Sequence, residues 1–187
     1  MTAILTGPKE WPSVLLAHAG AADPTDLEAA QKAGAFDGLR RAVRELGPNG
    51  TIEEIRASGL MGRGGAGHLT ADKWRAAADA DGRDKYVVAN GYGADPAAST
   101  DRTLLEIDPY AVIEGATIAA FAIGAETAYI SVRATATAAL AALNAALDQA
   151  YLHNLVGEDV LGTGRRIDVE IRPVQGAYML GEETVLL

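Results

Sequence analysis

Four glycines in six residues, Gly62-Arg63-Gly64-Gly65-Ala66-Gly67, leave the main chain bare enough for a flat or anionic group to lie against it. The pattern satisfies G-x-G-x-x-G. The dinucleotide fingerprint, however, needs a strand just before the first glycine and an acidic residue about 20 positions on. The strand is not in place, because Thr51-x-x-Glu54 reads as a capping box opening a helix-like run from Thr51 to Leu60. The loop therefore follows a helix and is a weak match to an ordinary Rossmann turn. The competing explanation is a Gly-rich connector without a ligand.

Composition narrows the field. The chain has 187 residues, 49% of them hydrophobic, no cysteine and a formal charge of -9. That length suits one α/β domain burying about 70% of its unfolded surface. The acidic balance argues against nucleic acid or an anionic membrane surface as a partner. No apolar run approaches the ~20 residues that span a bilayer, and the N-terminus lacks a basic-then-apolar signal pattern. A cytoplasmic location without direct membrane insertion is expected. Without cysteine the chain cannot ligate an iron-sulfur cluster or thiolate-held zinc, so any electron carrier it holds is organic.

Residues 1–25 carry Pro8, Pro12 and Pro24 without a sustained period, which predicts an extended arm with Val14-Leu15-Leu16 as its apolar contact. From Asp26, the spacing of Leu27, Ala30, Ala33 or Gly34, Leu39, Val43 and Leu46 predicts two short helical runs ending at Gly47-Pro48. Lys85 to Ala89 reads as a first strand, and Asn90 to Pro96 then lies at its carboxyl end, where open α/β sheets bind ligands. From the dipeptide alone, Asn90-Gly91 is a plain turn.

Asp108 caps a helix with Pro109 at its first position and a buried stripe of Val112, Ile113, Ala116, Ala120 and Ile123, stopped by Gly124. Tyr129 to Val132 is a second strand. A helix from Thr135 to His153 follows, with Leu140, Leu143, Leu147 and Tyr151 on one face. Ile167 to Ile171 alternates as a third strand. The order predicts an α/β fold: a Rossmann-like, right-handed parallel sheet with helices on both faces. His18, His68 and His153 lack ligand spacing, so no metal site is expected, and Arg165-Arg166 reads as a solvated loop. The segment Gly176 to Leu187 reads as a loop entering a helix with acids in its first turn.

The run SGLMGRGGAG followed by Lys73-Trp74 resembles the NADH-binding flavoprotein subunit of NADH:quinone oxidoreductase, respiratory complex I, and its relatives in hydrogenases and formate dehydrogenases, which read SGLRGRGGAGFPTGLKW. Two further blocks are similar in register. The family's CNADEGEPGTFKDR is met by Ala89 to Arg102, and its GAYICGEETALL by Gly176 to Leu187. The likeness runs from about Asp26 to Leu187. It implies a flavin mononucleotide (FMN) domain over 26–187, NAD(H) as a candidate second ligand, and an iron-sulfur or other redox subunit as partner.

Carried over residue by residue, the resemblance puts Gly62, Arg63, Gly64, Gly65 and Gly67 along the flavin, with Lys73 at its phosphate or ring edge. Asn90 would hydrogen-bond the flavin from the strand end. Tyr178, Gly181, Glu182 and Glu183 would close the site, Glu183 as the catalytic candidate. In such proteins hydride passes from nicotinamide to the flavin, which hands electrons on singly. Three departures bear on the nicotinamide side: His68 replaces a stacking aromatic, Ala76 replaces a Phe, and Tyr92 and Gly93 replace an acidic pair, leaving Asp95 as the last acid. The family's ubiquitin-like and iron-sulfur domains have no counterpart in these residues. Two alternatives stand beside this reading. One is a non-catalytic assembly or regulatory relative. The other is a flavin carrier similar to the C subunit of the Rnf complex, which shares the Asn-Gly strand end but lacks the GEET block.

Overall fold

The structure, a computed structural model, describes residues 14–15, 23–63, 65–82, 84–95 and 97–186, with the side chain of Glu183 outside that description. Most of the expected N-terminal arm, including Leu16 and His18, therefore lies outside the described residues. Val14 and Leu15 are exposed.

The first helices form a small layer. Asp26 caps α1 (Leu27–Lys32), its carboxylate accepting the Ala29 N–H at 3.0 Å. Helix α2 (Asp37–Arg41) runs into a π-helical turn, Ala42–Leu46, and Gly47 at φ +66° breaks the run as expected. Then follows α3 (Gly47–Ser58), with Pro48 in its first turn. The expected capping box is displaced. Thr51 lies one turn inside α3, buried, with its hydroxyl donating to the Gly47 carbonyl at 2.7 Å, and Glu54 pairs with Arg41 at 2.8 Å. Proline and the left-handed glycine start the helix four residues earlier, so the threonine serves packing.

Helix α4 (Thr70–Asp79) and helix α5 (Thr100–Ile107) were not among the expected elements, although both sort apolar from polar residues along their length. Strands β1 (Tyr86–Gly91), β2 (Thr127–Arg133) and β3 (Asp168–Val174) form a parallel sheet in the order β1-β2-β3. Each runs one to three residues beyond the expected carboxyl end, so Asn90 and Gly91 belong to β1 and are not a turn.

Helix α6 (Pro109–Ile123) is the centre of the domain. Its cap Asp108 accepts the Ala111 N–H at 3.2 Å, and Gly124 ends it at φ +76°. It is buried on nearly every side, well beyond the expected stripe, because the N-terminal helices, α4 and the sheet all pack on it. Helix α7 (Thr137–Leu152) buries Ala139, Leu143, Ala146, Leu147 and Ala150. Small alanines fill the contact, while Leu140 is half-buried and Tyr151 faces outward. Tyr151 instead reaches β3, its hydroxyl accepting the Val169 N–H at 3.2 Å.

One face of the sheet carries Ala128, Ile130, Val132 and Val169 in the core. Helices flank the sheet as expected; the opposite face is the more open one among the described residues, with Leu186 of the C-terminal segment against it. It presents Tyr86, 55% exposed, stacked on Tyr129 at 6.0 Å, with the Arg172 guanidinium 5.1 Å from the Tyr129 ring. The Arg165-Arg166 loop is not simply solvated either. Arg166 pairs with Asp168 at 2.7 Å and Glu158 at 3.3 Å, and Arg165 lies 5.1 Å from the Phe121 ring.

Candidate functional site at the tip of the first strand

Chemistry-bearing residues gather where β1 ends. A side chain at Gly91 would stand 3.0 Å from both the Leu105 side chain and the Ser131 carbonyl, so a glycine lets α5 and β2 close on the strand tip. Asn90 is exposed and uses both ends of its amide: Oδ1 accepts the Tyr92 N–H at 3.1 Å, and Nδ2 donates to the Leu180 carbonyl at 3.3 Å. Tyr92 is 2% exposed, and its hydroxyl donates to the Gly176 carbonyl at 2.5 Å. The Arg133 guanidinium lies 4.3 Å from the Tyr92 ring centre and donates to the Gly93 carbonyl at 2.6 Å. Asp95 is exposed and accepts the Ala97 N–H at 2.9 Å.

The C-terminal segment docks on this tip. A 3-10 turn, Tyr178–Gly181, precedes α8 (Glu183–Leu186), as the sequence suggested. A side chain at Gly181 would come within 2.9 Å of the Ala94 methyl, so the two loops touch where both residues are small. Tyr178 is 73% exposed, its ring turned away from the core. Glu182 caps α8, accepting the Thr184 N–H at 3.1 Å and the Thr184 hydroxyl.

The glycine loop is a separate projection between α3 and α4. Met61 and Leu69 bridge in antiparallel fashion, with the Gly62 N–H on the His68 carbonyl at 2.8 Å and the Thr70 N–H on the Leu60 carbonyl at 2.9 Å. Ile52, Ala71 and Ala122 form a buried cluster beneath it, with Trp74 packed against both this cluster and the main core. The base is thus fixed and the tip open. Arg63, Gly65 and His68 are exposed, as is Lys73 on α4, while Gly67 is half-buried and Gly64 lies outside the described residues. Gly65 at φ +118° and Gly67 at φ +64° adopt backbone that side chains disfavour. A Cβ at Gly65 would meet nothing within 4 Å, so its main chain faces open space, as a flat ligand such as FMN would need.

Of the three expected segments, the strand tip and the C-terminal loop are joined by direct hydrogen bonds. The glycine loop's hydrogen bonds, among the described residues, are internal to it. Among the described residues, two hollows lie at or near the sheet. One of about 440 Å³ opens at the carboxyl ends of β1 and β2, walled by Tyr92, Asp95, Arg102, Arg133 and the start of α7. The other, about 420 Å³, lies on the open sheet face against Tyr86, Tyr129, Arg172 and Leu186. Neither wall contains a glycine-loop residue. Tyr92 is largely taken up by the protein's own packing, at 2% exposure, while its edge borders the first hollow. Sequence reasoning missed Arg133 and Gly176, whose only local signal is an arginine ending a strand and a glycine opening a loop.

The parallel sheet, with clasped loops at its carboxyl edge, defines an α/β domain of the kind that binds ligands at its strand tips. The chain belongs to the Complex1_51K family, the Nuo51 FMN-binding domain, whose model matches residues 55–187. It is 37% identical over 174 residues to the F 2 subunit of NADH-quinone oxidoreductase from Rhizobium meliloti (strain 1021), covering 93% of this chain and 41% of that relative. It is 40% identical over 162 residues to the F-type subunit of the same enzyme from Rhodobacter capsulatus, covering 86% and 37%. A solved NAD+-reducing [NiFe]-hydrogenase in the H2-reduced state superposes with a TM-score of 0.71 at 29% identity, covering 81% of this chain and 25% of that one. The chain thus spans about two fifths of the length of these curated relatives. Among the described residues no helix is long and apolar enough to cross a membrane.

Proposed function

We propose that residues 26–187 form a cytoplasmic FMN domain that takes reducing equivalents from NAD(P)H and delivers electrons to an iron-sulfur partner subunit. The observation that supports it most is the family match across 55–187, which includes a glycine loop whose main chain at Gly65 faces open space. FMN, when bound, supplies two-electron acceptance and one-electron release. The chain's own residues hold and orient it. Main chain at Gly62, Gly64, Gly65 and Gly67 allows close approach to the ring, and Arg63 and Lys73 offer positive charge to the phosphate. Asn90 retains a second amide hydrogen for a ligand. Tyr178, Gly181, Glu182 and Glu183 close the site from the C-terminal side, with Glu183 nearest the chemistry in role, and His68 and Asp95 border the nicotinamide side.

A second reading, a non-catalytic assembly module, is motivated by the residues on the nicotinamide side, where His68, Tyr92 and Gly93 stand in place of a stacking aromatic and an acidic pair. FMN titration of the flavin-free chain, followed by flavin fluorescence and absorbance, separates the two. Stoichiometric uptake supports the flavin domain, and no uptake supports the module. Anaerobic bleaching of bound FMN by NADH or NADPH then tests the nucleotide step.

A further inference from the structure

We infer that Tyr92 and Arg133 form a clasp that positions the segment 176–182 at the tip of β1, so that Tyr92 acts on a ligand through this segment without touching it. The clasp rests on geometry alone; its effect on a ligand rests on the flavin reading above.

Tyr92 is held from several sides. At 2% exposure it has almost no surface to offer a ligand, and the single proton of its hydroxyl is committed to the Gly176 carbonyl. Its ring carries the Arg133 guanidinium at 4.3 Å, and that guanidinium is itself pinned to the Gly93 carbonyl at 2.6 Å. Arg133 ends β2, where Ala134 N–H continues onto the Val174 carbonyl at 2.9 Å, so the stacking group stands on the sheet.

The other end of the clasp is equally constrained. A Cβ at Gly176 would run into the Leu180 side chain, so residues 176–180 fold tightly on themselves. Where Gly176 goes, Leu180 follows. Its carbonyl takes the Asn90 amide at 3.3 Å, a long and exposed bond. The buried Tyr92 bond therefore carries more of the grip.

Tyr92→Phe removes the hydroxyl alone, and Tyr151→Phe removes a comparable hydroxyl that bonds the Val169 backbone on β3, away from this segment. Three quantities are measured on the full chain: the thermal midpoint, amide hydrogen exchange over 176–186 without flavin, and the FMN dissociation constant. Tyr92→Phe should speed exchange over 176–186 by about fivefold to tenfold, as loss of one hydrogen bond implies, and weaken FMN binding by about tenfold. Tyr151→Phe should lower the midpoint similarly and change neither of the others. Arg133→Lys, which keeps the charge but loses the flat stacking group, should show both local effects at reduced size. Unchanged exchange over 176–186 in Tyr92→Phe overturns the clasp. Faster exchange with unchanged FMN affinity overturns its role towards the ligand. If the parent chain takes up no FMN, the flavin reading fails alone, because the exchange measurement still decides the clasp.

Discussion

Glu114, in the middle of α6, accepts the Phe36 N–H at 2.8 Å with one carboxylate oxygen and the Leu39 N–H at 2.9 Å with the other. Phe36 opens α2 at φ +65°, so the start of that helix has no side-chain cap of its own. A residue more than 70 positions away supplies one. A Cβ at Gly38 would stand 2.9 Å from the Glu114 Oε1, so glycine there admits the carboxylate. The first helical layer is locked to the central helix by this contact, and α6 in turn supports β1.

Replacing Glu114 with Ala leaves buried N–H groups without a partner and should cost about 2 kcal/mol of stability, measured by urea unfolding.

The same carboxyl sets a pH dependence. Burial pushes Glu114 up from the ordinary glutamate value, against the lowering effect of the Leu39, Phe36 and Gly38 N–H groups. The folded state therefore holds this proton more tightly than the unfolded chain does. Its contribution is full below the unfolded value and is lost as pH rises through the folded one. Glu114→Gln should remove this slope, so the stability advantage of the parent over the variant should be largest in acid and shrink as pH rises. An advantage that grows with pH would contradict the assignment.

Gly65→Ala tests the glycine loop. The side chain meets open space, but φ +118° disfavours it, and a ligand lying on the main chain would meet the new methyl. FMN affinity, read by fluorescence titration, should fall about tenfold, and the backbone strain should cost about 1 kcal/mol of stability; a stability loss with unchanged FMN affinity would show that no ligand lies on this main chain.

Gly91→Val should destabilise by about 2 kcal/mol or more in chemical denaturation, because the added Cβ would sit 3.0 Å from the Leu105 side chain and the Ser131 carbonyl.

The base of the glycine loop is held by packing, with the surface ion pair contributing little. Arg56 and Asp72 link α3 and α4 at 2.5 Å, but both are exposed. Asp72→Asn should leave the thermal midpoint within measurement scatter. Trp74→Ala, which opens a gap between two clusters, should cost about 3 kcal/mol and shift the midpoint clearly.

Local chemistry accounts for what was legible beforehand. Asp26, Asp108-Pro109 and Gly124 place helix ends because capping and backbone preference act within four residues. The strands at 86–91, 127–133 and 168–174 were legible from short β-branched and aromatic runs, within a few residues of their ends. Helices α4 and α5 were not read beforehand, although their apolar residues do fall on one side; contacts with α3, α6 and α7 set their place. Thr51 was misread: its hydroxyl satisfies a carbonyl one turn back inside a helix that a glycine and a proline had already started.

Within the site, sequence alone determined that a bare, glycine-rich turn precedes a parallel α/β layer, and which residues recur at the strand tip and C-terminal loop. Those are properties of residue type and order. Tertiary structure decided that Tyr92 is buried under Arg133 with its hydroxyl on Gly176, that Asn90 holds Leu180, and that the more open sheet face carries Tyr86 and Tyr129. Each of those pairings joins residues 40 or more positions apart. No local propensity encodes them, because which polar group meets which carbonyl depends on how the layers close.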